Sequence, residues 1–202
     1  MAFPNIDPST FEFRSNQPIL ITQSLNGNEQ RGLVEAQKFK LTATYSNLSE
    51  AETKRLIGFV QESQGALTAF AFPLPGNIGK SSGGYTSTIS HGAGNEGDTS
   101  ISITSSIGAA VVFKKGDVIR FGDTTSKKLY MITEDFTTDL SGNGTINFLP
   151  ALRQDIDSTA TTGNPLDHVN VTANVRFVGD EQRYRTDPNL YGSITIEMIE
   201  VL

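Results

Sequence analysis

Two segments near opposite ends of the chain alternate strictly between apolar and polar residues. In 38–45, KFKLTATY, the residues Phe39, Leu41, Ala43 and Tyr45 point one way and Lys38, Lys40, Thr42 and Thr44 the other. In 169–177, VNVTANVRF, the split is Val169, Val171, Ala173, Val175 and Phe177 against Asn170, Thr172, Asn174 and Arg176. A period of two belongs to a half-buried antiparallel strand with one wet face. The segment 193–202, SITIEMIEVL, alternates through Ile194, Ile196 and Met198. Its phase then slips at Met198–Ile199, as at a β-bulge.

One helix interrupts this pattern. The spacing predicts it over about 49–64. Ser49 with Glu52 three residues on makes a capping box, and Asn47 with Glu50 offers the same box two residues earlier. Leu56, Ile57, Phe59 and Val60 form its apolar side; Glu52, Lys54, Arg55, Gln61 and Glu62 form its polar side. Gly58 lowers helix propensity and marks an expected close packing contact. Gly65 is placed to end the helix as its C′ residue. A strand, 66–72, follows, and Pro73 and Pro75 end its pairing.

The first dozen residues carry Pro4 and Pro8 and read as an extended arm. The apolar run 17–23 leads into the turn signal Asn26-Gly27-Asn28. From Gly76 to Tyr85 the sequence GNIGKSSGGY reads as a linker. Short strands are then expected at 99–103, 109–113, 117–121, 128–134 and 145–149, a spacing that fits a small antiparallel barrel or sandwich. A polar stretch, 154–168, closes that unit. The expected fold class is mainly β with one α-helix: a split β-barrel or sandwich domain (1–78 and 169–202) with an inserted small antiparallel β-barrel-like domain (79–168). A lone amphipathic helix beside half-buried strands serves to cover one open face or end of a sheet.

Composition narrows the chemistry. With 202 residues, a core can form without staples, and 37% hydrophobic residues suit a strand-rich chain with long polar turns. The chain has no Cys, which excludes disulfides, thiolate metal sites and Cys nucleophiles. Net charge is −6, and no Lys/Arg cluster exceeds the pairs Lys114-Lys115 and Lys127-Lys128, so a basic duplex-binding face is not expected. MAFPNIDPSTFEF lacks the layout of a signal peptide, and no apolar run reaches the length of a membrane span.

Candidate sites each meet a plainer reading. Gly79-Lys80-Ser81 matches the tail of a P-loop, but Leu74 stands where the pattern needs Gly, and no helix follows. Asp135, Asp139, Ser141 and Asn143 with Gly142 and Gly144 hint at a calcium loop but miss its spacing, and a hairpin loop accounts for them. His91 and His168 sit in polar stretches and are expected to be solvated. A Ser-His-Asp arrangement has no nucleophile-elbow pattern to support it. Tyr85, Tyr130, Tyr184 and Tyr191 are interface anchors or core residues. No catalytic, cofactor-binding or metal-binding residue is nominated, and an enzyme, such as a glycan hydrolase, is not expected.

The block 38–75, KFKLTATYSNLSEAETKRLIGFVQESQGALTAFAFPLP, resembles the core of distal tail and minor tail proteins of tailed bacteriophages. The shared layout is an alternating strand, a capped helix ending in Gly, and a strand ending near Pro. GSITIEMIEVL (192–202) resembles the closing strand of that domain, and RFVGDEQRYRTDPNLYG (176–192) the loop before it. The resemblance covers roughly 11–77 and 170–202, the two parts of a split domain. It implies a structural virion protein of a phage tail tip or baseplate. Its partners would be itself, as a hexameric ring, the tail tube protein, the tail hub and other baseplate or fibre proteins. It would be assembled in the host cytoplasm, without cofactors, nucleic-acid recognition or membrane insertion. The alternative is a host-glycan or fibre-binding module carried by the insert, with contacts from 85–98 and 154–168.

Overall fold

The computed structural model describes residues 3–33, 37–106, 108–122, 128–179, 184–186 and 192–201. In chain order its elements are β1 (Thr10–Asn16), β2 (Ile19–Gln23), β3 (Glu29–Leu33), β4 (Lys38–Leu48), α1 (Glu50–Glu62), β5 (Phe70–Pro73), β6 (Ile89–His91), β7 (Ser100–Ser105) and β8 (Val111–Phe113). There follow β9 (Val118–Phe121), β10 (Leu129–Ile132), β11 (Phe136–Thr137), β12 (Asn143–Leu149), α2 (Thr159–Thr162), β13 (Leu166–Asp167), β14 (Thr172–Phe177), β15 (Tyr184–Thr186) and β16 (Gly192–Glu200). The protein is mostly β, with 45% strand and 10% helix. The second helix is a single turn, and α1 is the helix that matters to the architecture.

Both ends of the chain build one sheet, ordered β1-β4-β16-β14-β5, with β15 alongside β16. Every pairing in it is antiparallel. The apolar alternation of β4, β14 and β16 faces inward, and the sheet curls until its outermost strands meet. Phe11 of β1 stacks on Phe72 of β5, with ring centroids 5.9 Å apart and planes 8° from parallel. The result is a nearly closed barrel. Closure by side chains leaves an open end to plug, and α1 plugs it. Its buried residues Thr53, Leu56, Phe59 and Val60 line one face.

The helix begins where the capping box at Ser49 places it: Ser49 Oγ accepts from Glu52 N–H, and Glu52 Oε2 accepts from Ser49 N–H. Asn47 instead adopts a left-handed conformation, φ 57°, at the strand-to-helix corner. The other helix end differs from expectation. Ser63 is the C-cap, its hydroxyl donating to Phe59 O at 2.8 Å, and Gln64 takes the left-handed C′ role before Gly65. Gly58 makes no close contact; a Cβ there would meet open space. The close approach lies at Gly192 on β16, where a Cβ would stand 2.4 Å from Thr53 Oγ1.

Three strand expectations shift. The strand after α1 starts at Phe70, and Leu67 is exposed. The alternation beginning at Val169 breaks at Asn170, whose φ of 58° reverses the phase, so β14 starts at Thr172. No bulge occurs at Met198–Ile199. The register against β4 runs on unbroken there, and the irregularity lies at the other end, between Gly192 and Ile194. The phase never slips, because the inward residue after Met198 is Glu200, a buried charge.

The second sheet, β13-β9-β10-β12-β7-β6, uses strands lying between residues 89 and 167. Its own core includes Ile103, Phe113, Phe121, Tyr130, Ile146 and Phe148. His91 of β6 packs edge-on against Phe121 of β9 at 5.2 Å, which draws one end of this sheet toward the other. Val118 and Leu129 belong to this sheet yet pack into the first core. The segment read as a linker is therefore fastened along its length. Val171 N–H donates to Gly79 O, Ser81 N–H donates to His168 O, and Ser82 donates through N–H and Oγ to Asp117. The expected N-terminal arm also folds back: Phe3 lies in the first core, 4.9 Å from Phe72 and 5.1 Å from Phe59 between ring centroids.

Candidate functional site

The residues that suggested chemistry in the sequence are brought into structural roles. Ser81 and His168 do meet: Ser81 Oγ lies 3.3 Å from His168 Nδ1. His168 Nε2 lies 2.9 Å from Ser87 O, and a carbonyl only accepts, so Nε2 carries the proton and Nδ1 is left as an acceptor facing the Ser81 hydroxyl, which also lies 3.4 Å from Tyr85 O. The third member is thus a backbone carbonyl where a triad has a carboxylate. Both side chains are buried, so the Ser81 hydroxyl presents no surface to a substrate. Burial holds the His168 imidazole below its ordinary value of 6.5. Asp117, the nearby carboxylate, is occupied by Ser82 and by Lys114 N–H.

Both histidines depart from the solvated state expected of them. His91 is also buried, with Nδ1 2.9 Å from Gly92 O and Nε2 without a hydrogen-bond partner among the described residues. No group of His, Asp and Glu among the described residues is arranged to hold a metal ion. The Asp-rich loop is a hairpin: Asp139 Oδ1 accepts from Ser141 N–H and Asn143 N–H, while Asp135 turns away to Lys115 N–H and Lys114 Nζ. Gly79-Lys80-Ser81 leads into turns and the Tyr85 region, not into a helix. A Cβ at Gly79 would stand 2.6 Å from Leu74 O, so its glycine answers to backbone packing.

Tyr85 and Tyr130 are core residues, Tyr85 with its hydroxyl 2.9 Å from Ser106 Oγ. The Tyr184 side chain and Tyr191 lie outside the described residues. The two segments expected to carry contacts of a binding module come together. Gly94 bridges Ile156, Gly97 N–H donates to Leu152 O, and Glu96 N–H donates to Asp155 Oδ1. Tyr85 is the aromatic residue among Phe, Tyr and Trp in these segments, and it is buried.

The surface that stands out is apolar. β2 and β3 form a separate two-stranded ribbon, paired from Ile19↔Leu33 to Gln23↔Glu29. It extends the β1–β4 hairpin beyond its last pair, Asn16↔Lys38. Pro18, with no N–H to offer, marks the break in that ladder. Ile19, Leu20 and Ile21 are 55%, 61% and 58% exposed, and Leu25 at the tip is wholly exposed. Ile19 and Ile21 share one face, beside the Glu29–Arg31 pair, and Leu20 lies on the other, so large apolar side chains are exposed on both sides.

At the root of this ribbon lies a cleft of about 510 Å³ between the two sheets. Phe39, Met131, Ile132 and Leu149 make its apolar walls, with Gln17 and Gln37 at its rim. Behind Phe39 sits a joint absent from the sequence-based expectations. Lys128 Nζ donates to Glu200 Oε2 at 2.8 Å and to Gln37 O at 3.0 Å. Glu200 also accepts from Phe39 N–H and Leu129 N–H. Burial pulls the Lys128 ammonium below its ordinary range, and the Glu200 carboxylate opposes that. The signal for this joint was the inward phase of Glu200 in an otherwise clean alternation.

Among the described residues no helix is long and apolar enough to cross a membrane. No protein-family model matches the chain, and no curated protein matches it.

Proposed function

We propose that this protein is a structural subunit of a phage tail tip or baseplate. In this reading it forms a hexameric ring that joins the tail tube to the hub and adsorption apparatus, and it acts by assembly without bond chemistry. The observation that carries the reading is the ribbon β2–β3. An isolated two-stranded hairpin is marginal in water, and this one exposes Ile19, Leu20, Ile21 and Leu25 on both faces. Contiguous apolar surface of this kind marks a contact with another protein. The layout of β4, α1, β5 and β16 supports the same reading through its resemblance to tail-tip proteins.

Charge adds a qualification of detail. The polar face of the first sheet carries Arg14, Lys38, Lys40 and Arg176 against Glu12 and Glu197 among the described residues. The net acidity of the chain therefore lies elsewhere, as in Glu96, Asp98, Asp155 and Asp157 beside the joined loops of the second sheet.

Negative-stain microscopy with native mass spectrometry over a concentration series tests the proposal. Closed rings of about six copies are expected. Monomers at every concentration, which also fail to bind purified tail tubes, would sink it.

A further inference from the structure

We propose that the cleft between the two sheets receives the β2–β3 ribbon of a second copy of this chain, with Leu25 as the leading side chain. The inference deepens the ring reading and rests on it for the geometry of closure.

One polypeptide carries two unmet needs. The ribbon exposes large apolar side chains on both faces, and no described residue of its own subunit covers them. The cleft of about 510 Å³ is walled by Phe39, Met131, Ile132 and Leu149, and Leu149 is 47% exposed there although it is a large apolar residue. A recess with apolar walls and a few polar groups at the rim is a ready binding site.

The occupant is a second copy because the ribbon's root and the cleft share a rim. The ribbon leaves the body beyond Gln17 and re-enters before Gln37, and both residues line the cleft. From that root its five-residue strands carry the tip outward by roughly 17 Å. Leu25, wholly exposed, is not among the residues that line the cleft of its own subunit. An apolar projection and an apolar recess at different places on one chain define a heterologous contact, the kind that propagates from copy to copy and closes into a ring when the rotation allows.

Charge permits the contact. The charged residues on the ribbon are Glu29 and Arg31, and they pair with each other at 3.1 and 3.2 Å. The ribbon therefore brings no unpaired charge to a partly apolar recess, where one would be costly. At the rim, Lys115 N–H is already held by Asp135.

The absence of Cys makes the test direct. Single variants Leu25→Cys, Leu149→Cys and Leu140→Cys are prepared, and Leu25→Cys is mixed in equal amounts with each of the other two under mild oxidation. Leu140 is 90% exposed and lies away from the cleft lining, so it reports random collision. The 25–149 disulfide is expected to form at least tenfold faster than the 25–140 disulfide. Equal rates would overturn the docking proposal. The same samples are imaged unoxidised. Rings without a 25–149 preference would remove the docking and leave the ring reading. A 25–149 preference in open chains without rings would keep the docking and remove the ring.

Discussion

Lys128 and Glu200 form an ion pair 2.8 Å long whose side chains are 1% and 0% exposed, and it lies where the two sheets meet. Glu200 belongs to the first sheet and Lys128 directly precedes β10 of the second. The carboxylate also caps two main-chain amides, Phe39 N–H on β4 and Leu129 N–H on β10. Removing one partner of a buried pair strands the other. Lys128→Met is expected to destabilise the fold by about 3–5 kcal/mol. Glu200→Leu is expected to be worse, because it strands an ammonium and two amides together. Urea unfolding of both variants checks the order. Midpoints within 0.5 M of the parent for both would show that the joint is not dry, taking a slope of about 1–3 kcal/mol per molar urea.

Two glycines answer the same substitution with opposite signs. Gly58 is exposed on α1, and a Cβ there would touch nothing. Gly58→Ala is expected to stabilise the protein by about 0.5–1 kcal/mol through helix propensity. At Gly192 the new Cβ would stand 2.4 Å from Thr53 Oγ1 and 3.1 Å from its Cγ2. Gly192→Ala is expected to cost about 1–3 kcal/mol, since α1 must lift from β16. Thermal denaturation of the two variants side by side decides it, and the double variant Gly192→Ala/Thr53→Ala should recover part of the loss.

These two glycines also show what was legible in the sequence and what was not. Alternation located β4, β14 and β16, and the capping box located the start of α1, because both are local signals with a short period. Gly58 was expected to mark a contact and Gly192 was not. A glycine's neighbour across a fold is a tertiary fact that no local window contains. The same holds for Glu200. A charged residue in an inward position reads locally as a slip of phase, since its partner Lys128 stands beside a strand of the other sheet. The histidines failed for a related reason. His168 stands in a polar stretch, but its burial comes from Ser81, Ser87 and Tyr85 across the chain. The ribbon's turn was readable in Asn26-Gly27-Asn28, whereas its exposure on both faces was not. An apolar run such as ILITQ ordinarily signals burial.

His168 gives the fold a pH dependence whose sign follows from burial. Its imidazole is held below the ordinary value of 6.5, with burial as the main cause, opposed by Ser87 O and the charges of Asp167 and Asp117. A group held low in the folded state adds stability above its unfolded value, and that stability is lost as pH falls through its folded value. The thermal midpoint is therefore expected to fall as pH drops from about 7.5 to 5.5. The carboxylates held low by their partners, Glu12, Glu50, Glu52 and Asp135, start from ordinary values of 4.5 and 3.8 and act below this window. His168→Gln keeps a donor toward Ser87 O and removes the titration. Its midpoint should be flatter across the same range. A parent and variant with the same slope would remove His168 as the cause.

Phe3 distinguishes a plug from an arm. Its ring sits among Phe59, Phe70 and Phe72 at centroid distances of 5.1, 5.9 and 4.9 Å, inside its own barrel. The neighbours are the helix face and β5, the last strand of the sheet, so Phe3 fills space at the barrel's closure where Phe11 stacks on Phe72. Phe3→Ala would leave a void that these large rings cannot collapse into. A loss of about 3–5 kcal/mol is expected in a subunit that is still monomeric. An arm that served a neighbouring subunit would behave otherwise, with monomer stability unchanged and assembly impaired. Urea unfolding at a concentration too low for association separates the two, and an unchanged midpoint there would move Phe3 out of the barrel and into an intersubunit contact.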